Sequence, residues 1–177
     1  LSGALAGPAA AQSAFPARPI RVVVPYAPGG ATDIMARTVA QRLGEILGQT
    51  VIIENKPGAN TAIGAEQVAK SPADGYTLMF TNDATFVLNP ALFTSLSYNM
   101  ARDFVPVATV AYLNLSLTVS ASLPVNTFAE LVAWTKSKSG TISYGSYGVG
   151  SQAHLMGEMY KKLSGMTGTA DTEAYEF

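Results

Sequence analysis

The sequence predicts an α/β fold built around parallel strands, and three observations carry that prediction. Residues 20–24, Ile-Arg-Val-Val-Val, form a nearly continuous β-branched run, as expected of a strand covered on both faces. Residues 32–47 then place Ile34, Met35, Val39, Leu43, Ile46 and Leu47 at helical spacing, with Gly48 positioned to end the helix. Residues 51–54 return to a strand pattern. Strand–helix alternation of this length implies βαβ units with right-handed crossovers.

The later elements follow the same logic. Asn55-Lys-Pro-Gly58 closes the second strand, and Ile63, Ala65 and Val68 mark a helix over residues 61–69. Pro72-Ala-Asp-Gly75 is a turn, with Gly75 suited to positive φ, and residues 76–81 form a third strand. Residues 82–100 are rich in Asn, Thr and Ser and contain Asn89-Pro90. Strands are expected at residues 104–110 and 113–119. A helix over 128–137 carries Leu131, Val132 and Trp134, with Trp134 read as core. A short strand at 142–144 leads into a Gly-rich loop and a helix bearing Leu155, Met156, Met159 and Leu163. Residues 167–177 show no periodicity and are expected to be an atypical tail on an incomplete chain.

Composition narrows the function classes. The chain has 177 residues, a formal charge of -1 and few charged residues, which argues against nucleic-acid or anionic-membrane partners. It has no cysteine and a single histidine, His154, so thiolate chemistry and Cys/His zinc sites are excluded. Residues 1–14 are Ala/Gly-rich and uncharged with A-x-A patterns, as in the end of a secretory signal peptide. The mature protein is then expected to work outside the cytoplasm.

The chemistry concentrates in three loops. Pro25-Tyr-Ala-Pro-Gly-Gly30 joins a strand to a helix N-terminus, whose free N–H groups and partial positive charge suit an anion. No lysine or arginine lies in that loop, which points to backbone capture of a small carboxylate rather than a polyphosphate. Asp33 reads either as an acceptor for exposed N–H groups of the first helical turn or as a partner for a ligand amine. Thr81-Asn-Asp-Ala-Thr85 ends the third strand, at the sheet edge where open α/β folds bind ligands. Gly148-Val-Gly-Ser-Gln-Ala153 matches G-x-G-x-x-A, but a dinucleotide reading lacks a second strand to hold the required acid. Neither a Walker lysine nor a G-x-S-x-G elbow is present, and His154 has no local Asp, Ser or Cys partner.

Several stretches together carry a family resemblance: Phe15-Pro-x-Arg-Pro-Ile-Arg21, Val24-Pro-Tyr-Ala-Pro-Gly-Gly-Ala-Thr-Asp33, Glu54-Asn-Lys-Pro-Gly-Ala59 and Ser71-Pro-Ala-Asp-Gly-Tyr76. Asn89-Pro90, Tyr144-Gly-Ser-Tyr-Gly-Val-Gly-Ser-Gln-Ala-His154 and Gly157-Glu158 continue the series through about residue 166. The sequence resembles the Bug family of periplasmic solute-binding receptors, also called tripartite tricarboxylate transporter substrate-binding proteins.

The resemblance implies a two-domain periplasmic binding protein fold with Rossmann-like lobes enclosing one carboxylated ligand, a di- or tricarboxylate, amino acid or aromatic acid. Mapped onto this chain, Tyr26, Ala27, Gly29, Gly30 and Asp33 form one jaw, and Ser146, Gly148 and Ser151 the other. Thr81, Asp83 and Thr85 line the wall, although Asp83 is unexpected beside an anion. The implied organisation is a signal remnant at 1–14, a first lobe at 15–108, the start of a second lobe at 109–166 and the tail at 167–177. The first lobe is expected to lack its returning strands. No catalytic residue, metal or cofactor is expected; the implied partners are the ligand and membrane permease subunits, and the protein itself is expected to be a monomer. Two alternatives remain: an α/β enzyme using His154 or Asp33 in the same cleft, and a sensory ligand-binding receptor.

Overall fold

β1 (Ile20–Val24) is the middle strand of a parallel three-stranded sheet, which explains its apolar run: Ile20, Val23 and Val24 are essentially inaccessible to solvent. A computed structural model describes residues 15–138, 142–146, 148–166 and 169–171. The expected signal remnant lies outside the described residues.

The sheet order is β2-β1-β3, with β2 spanning Val51–Asn55 and β3 Thr77–Met79. Ile20 pairs with Val51 and Val22 with Ile53 on one side, while Val22 pairs with Leu78 on the other. α1 (Ala31–Leu47) crosses from β1 to β2, and α2 (Ala62–Ala69) from β2 to β3. The two crossovers run in opposite directions along the sheet, so right-handed connections place α1 and α2 on opposite faces. α2 approaches closely because Gly64 has no side chain: a Cβ there would stand 2.7 Å from Pro25 Cβ and 3.0 Å from the Lys56 carbonyl.

The buried face of α1 is not the expected one. Thr32, Asp33, Ala36 and Ala40 are buried, whereas Ile34 and Ile46 are exposed. Alanines at four-residue spacing let the helix lie close to the strands, and Ile34 projects from the opposite side. Gly48, at φ 64°, terminates α1 in the left-handed conformation as expected.

Two sequence stretches far apart meet beside β3. Arg18 pairs with Asp74 at 2.8 Å and lies 3.9 Å from the centre of the Tyr76 ring, which Phe15 meets edge-on. After β3 the chain forms a π-helical turn, Ala84–Leu88, and two short helices, α3 (Asn89–Leu92) and α4 (Met100–Asp103).

Residues 104–110 and 113–119, expected as strands, have no regular secondary structure and no ladder partners among the described residues. Val105, Val107 and Tyr112 are more than four-fifths exposed. A strand needs a neighbour for its N–H and C=O groups as well as β-favouring side chains, and none is adjacent here.

Beyond this segment, α5 (Phe128–Ser137) matches its expected span. Thr127 and Glu130 form a reciprocal capping box, each side chain bonding the other's backbone N–H at 3.2 Å. β4 (Ser143–Gly145), α6 (Gln152–Ser164) and β5 (Thr169–Asp171) make a second parallel βαβ unit. β5 falls within the tail expected to be irregular; three residues are too few to show a period. The remainder of that tail lies outside the described residues. Thr135 and Tyr160 join α5 to α6 through their hydroxyls at 2.8 Å.

Candidate functional site

The loops that follow β1, β2 and β3 share the C-terminal edge of the sheet. β1 runs into Pro25, which is buried, and then Tyr26 and the two glycines. Gly29 adopts φ +89°, with no atom near the position a Cβ would take. Gly30 caps α1 with extended geometry and offers no side-chain acceptor to the opening turn. The N–H groups of that turn have no intrahelical partner and carry the positive end of the helix dipole. A Cβ at Gly30 would meet only the Ala27 carbonyl, at 3.9 Å, so space lies open in front of the helix.

Asp33 is engaged internally. Only 2% exposed, it accepts from the Gly29 N–H and from Arg37 Nε, both at 2.9 Å, and from Asn55 Nδ2 at 2.8 Å. Asn55 Nδ2 also reaches the Tyr26 carbonyl at 3.1 Å. The hydrogen bond from Arg37, aided by those from Gly29 and Asn55, holds the Asp33 carboxyl down to about 2. Asp33 accepts the Gly29 N–H, ahead of the helix, and side-chain donors, not the N–H groups of the first helical turn. Asp33 and Asn55 together fix the loop, and the Gly29 N–H is directed to Asp33.

The Tyr26 hydroxyl donates to Asn82 Oδ1, which also accepts from the Ala84 N–H at 3.0 Å. Burial pushes the Tyr26 hydroxyl above its ordinary pKa; hydrogen bonding with Thr81 and Thr85 opposes the shift and the nearby Asp83 charge adds to it. Thr81 and Thr85 share a hydrogen bond at 2.6 Å, and Thr85, fully buried, donates to Thr61 Oγ1 at 2.8 Å. Asp83 is exposed at the start of the π-helical turn. Tyr26, Thr81 and Thr85 thus lie together at the C-terminal edge of the sheet.

The second Gly-rich loop sits at the start of α6. Ser146 is buried, and Gly148, at φ +127°, has open space where a Cβ would lie. Ser151 caps α6 by accepting the His154 N–H at 3.2 Å, while His154 Nδ1 accepts the Gly150 N–H at 3.1 Å. The histidine and Ser151 therefore serve the loop's own geometry, with Ser151 Oγ facing the His154 backbone rather than its ring. Gly150 also abuts the first unit: its Cβ position is 3.2 Å from Asn60 Nδ2 and 3.5 Å from Leu92 Cδ1. An apolar cavity of about 230 Å³ lies beside this contact, lined by Leu92, Phe93, Val149 and Leu155, with His154 and Glu158 at its polar side.

Sequence reasoning did not single out Asn55, Asn60, Thr61 or Asn89 as candidate site residues, whereas Asn82 lies within the Thr81–Thr85 stretch it did identify. Asn89 is completely buried, accepts from Asn60 Nδ2 at 2.6 Å and donates to the Asn60 carbonyl, Thr61 Oγ1 and Tyr98 hydroxyl. The signal available was local only for Asn55, which ends β2 in an Asn-Lys-Pro-Gly turn. No group of acidic or histidine side chains able to hold a metal occurs among the described residues, and no helix there is long and apolar enough to cross a membrane.

Parallel α/β units with Gly-rich loops opening onto helix N-termini at the sheet edge define a class of anion-binding proteins. Residues 35–170 match the family described as tripartite tricarboxylate transporter family receptor, and the chain belongs to that family. It is 40% identical over 165 residues to Protein BugT of Bordetella pertussis, covering 92% of this chain and 51% of the relative. Among solved structures it is similar to R. palustris Rpa4515 with adipate, at 36% identity and a TM-score of 0.83, covering 90% of this chain and 54% of that one. It is also similar to MatC from Rhodopseudomonas palustris with bound malate, at 30% identity and a TM-score of 0.73, with the same coverage of 90% and 54%. The chain thus spans about half the length of these relatives. The match extends through β4, α6 and into β5, beyond the point near residue 166 where the sequence resemblance was expected to break.

Proposed function

We propose that this protein is an extracytoplasmic receptor that captures a small carboxylate between its two α/β units and delivers it to a tripartite-type membrane transporter. The observation that carries this reading is the uncapped N-terminus of α1, with open space in front of Gly30. Its N–H groups suit a carboxylate oxygen without a basic side chain. Gly30, Ala27 and the Tyr26 hydroxyl form the first jaw, with Gly29 and Asp33 holding the loop. Thr81, Asp83 and Thr85 form the wall, and Ser146, Gly148 and Ser151 the second jaw. The adipate and malate complexes of structural relatives support a dicarboxylate ligand. The A-x-A patterns in residues 1–14 and the family match support a periplasmic location reached through a signal peptide. The receptor acts as a monomer and has no enzymatic activity. The match to a family of receptors supports the reading without enzymatic activity.

The test is native mass spectrometry of the full-length protein purified without added ligand, followed by calorimetric titration with malate and adipate. Retention of a carboxylate, or saturable one-to-one binding of either acid, is the expected result. Absence of both, or chemical conversion of the bound acid, would overturn the reading.

A further inference from the structure

The chain after β2 holds three consecutive non-glycine residues in the left-handed region: Ala59 and Asn60 at φ 47° and Thr61 at φ 75°. Such backbone persists only where surrounding contacts over-determine it, and it concentrates at working parts of proteins. Here the over-determination has one centre. Asn89 Nδ2 donates to the Asn60 carbonyl at 2.5 Å, and Asn89 Oδ1 accepts from Asn60 Nδ2 at 2.6 Å. The two asparagines thus pair reciprocally through both backbone and side chain. Thr61 is held in the same network through Asn89 and Thr85, and Tyr98 closes it by donating to the Thr85 carbonyl at 2.8 Å.

The network fixes where the Asn60 side chain points. Its Nδ2 lies 3.2 Å from the position of a Cβ on Gly150, which is buried and itself left-handed at φ +79°. Any side chain at Gly150 would push against Asn60. The Gly150 N–H is bonded to His154 Nδ1, so the position of this one residue carries over to the opening of α6. We infer that Asn60, oriented by Asn89, is a positioning residue: it is the seat on which the loop of residues 148–151 rests against the first α/β unit. The contact links the Thr81–Thr85 wall of the candidate site, through Thr61 and Asn89, to its second jaw. It deepens the receptor reading, but its primary test does not depend on that reading.

The test uses Asn60→Gly in the full-length protein without ligand, because glycine accepts φ 47° and only the side chain is lost. Hydrogen exchange is followed at the Gly150, Ser151 and His154 amides and, as a control, at Val22, Val23 and Val24. The expected result is at least about tenfold faster exchange in the loop with the β1 amides unchanged. Loop exchange within about twofold of wild type, or equal acceleration in β1, would overturn the inference. Affinity for malate and adipate is measured in parallel. If wild type binds neither acid, the dicarboxylate reading fails while the exchange data still decide the role of Asn60.

Discussion

Asn55 donates from Nδ2 to Asp33 Oδ1 at 2.8 Å, joining the end of β2 to the first turn of α1. The same carboxylate holds the Gly29 N–H and Arg37, so a buried acid organises a loop that has no charged side chain of its own. Replacing Asp33 with Asn keeps the shape but removes charge-assisted acceptance, each such bond being worth about 1.5–3 kcal/mol. The variant should therefore be less stable at pH 7 by about that amount in denaturant unfolding. The folded-state pKa of Asp33 is depressed from its ordinary 3.8 to about 2. Its contribution is thus complete above the ordinary value and is lost as pH falls through the folded one. Asp103, held equally low by Arg102, titrates in the same range, so the comparison between variant and wild type isolates Asp33. The stability gap between them should narrow as pH falls from 4 toward 2; a gap independent of pH would contradict the assignment.

Gly30 has an extended backbone at φ -73° and ψ 167°, which any residue adopts, and its missing side chain faces open space. Gly30→Val should leave the unfolding midpoint nearly unchanged while filling the approach to the α1 N-terminus. Calorimetry should show at least about a tenfold loss of carboxylate affinity, equivalent to ~1.4 kcal/mol. Unaltered affinity would remove this loop from the binding site.

Much of this architecture was legible because its signals are local. β1, α1, β2, α2 and α5 declare themselves through apolar runs, helical spacing and Gly48, all read within a few residues. The inward face of α1 was less legible, since Asp33 and Thr32 are buried by partners that a periodicity count treats as polar. Residues 104–119 misled for the opposite reason: β-branched side chains report a fit to a pleated surface, not the presence of a neighbouring strand. The Gly-rich loops stood out by composition, whereas the Asn60–Asn89 pair joins positions 29 apart and is visible only once the chain is folded.

Gly64 tests the packing of α2 independently of any ligand. The added methyl of Gly64→Ala would press on a proline ring and a backbone carbonyl, neither of which yields as a flexible side chain does. The expected cost is about 1–3 kcal/mol, read as a lower denaturant midpoint with an unchanged slope. Equal midpoints would mean that α2 can shift away from Pro25 freely, and that Gly64 is not a packing requirement.

His154 separates a receptor from an enzyme. Its Nδ1 accepts the Gly150 N–H and its backbone N–H is capped by Ser151, so the imidazole stabilises the second loop. A general base needs a substrate or nucleophile proton within hydrogen-bond reach, and Ser151 Oγ accepts from the His154 backbone N–H instead of meeting its ring. His154→Gln retains a side-chain oxygen able to accept from Gly150, so carboxylate affinity should change by less than about tenfold. Malate or adipate incubated with wild-type protein should be recovered unchanged by mass spectrometry. A product that forms with wild type and disappears with His154→Gln would instead establish the histidine as a catalytic residue and the cleft as an active site.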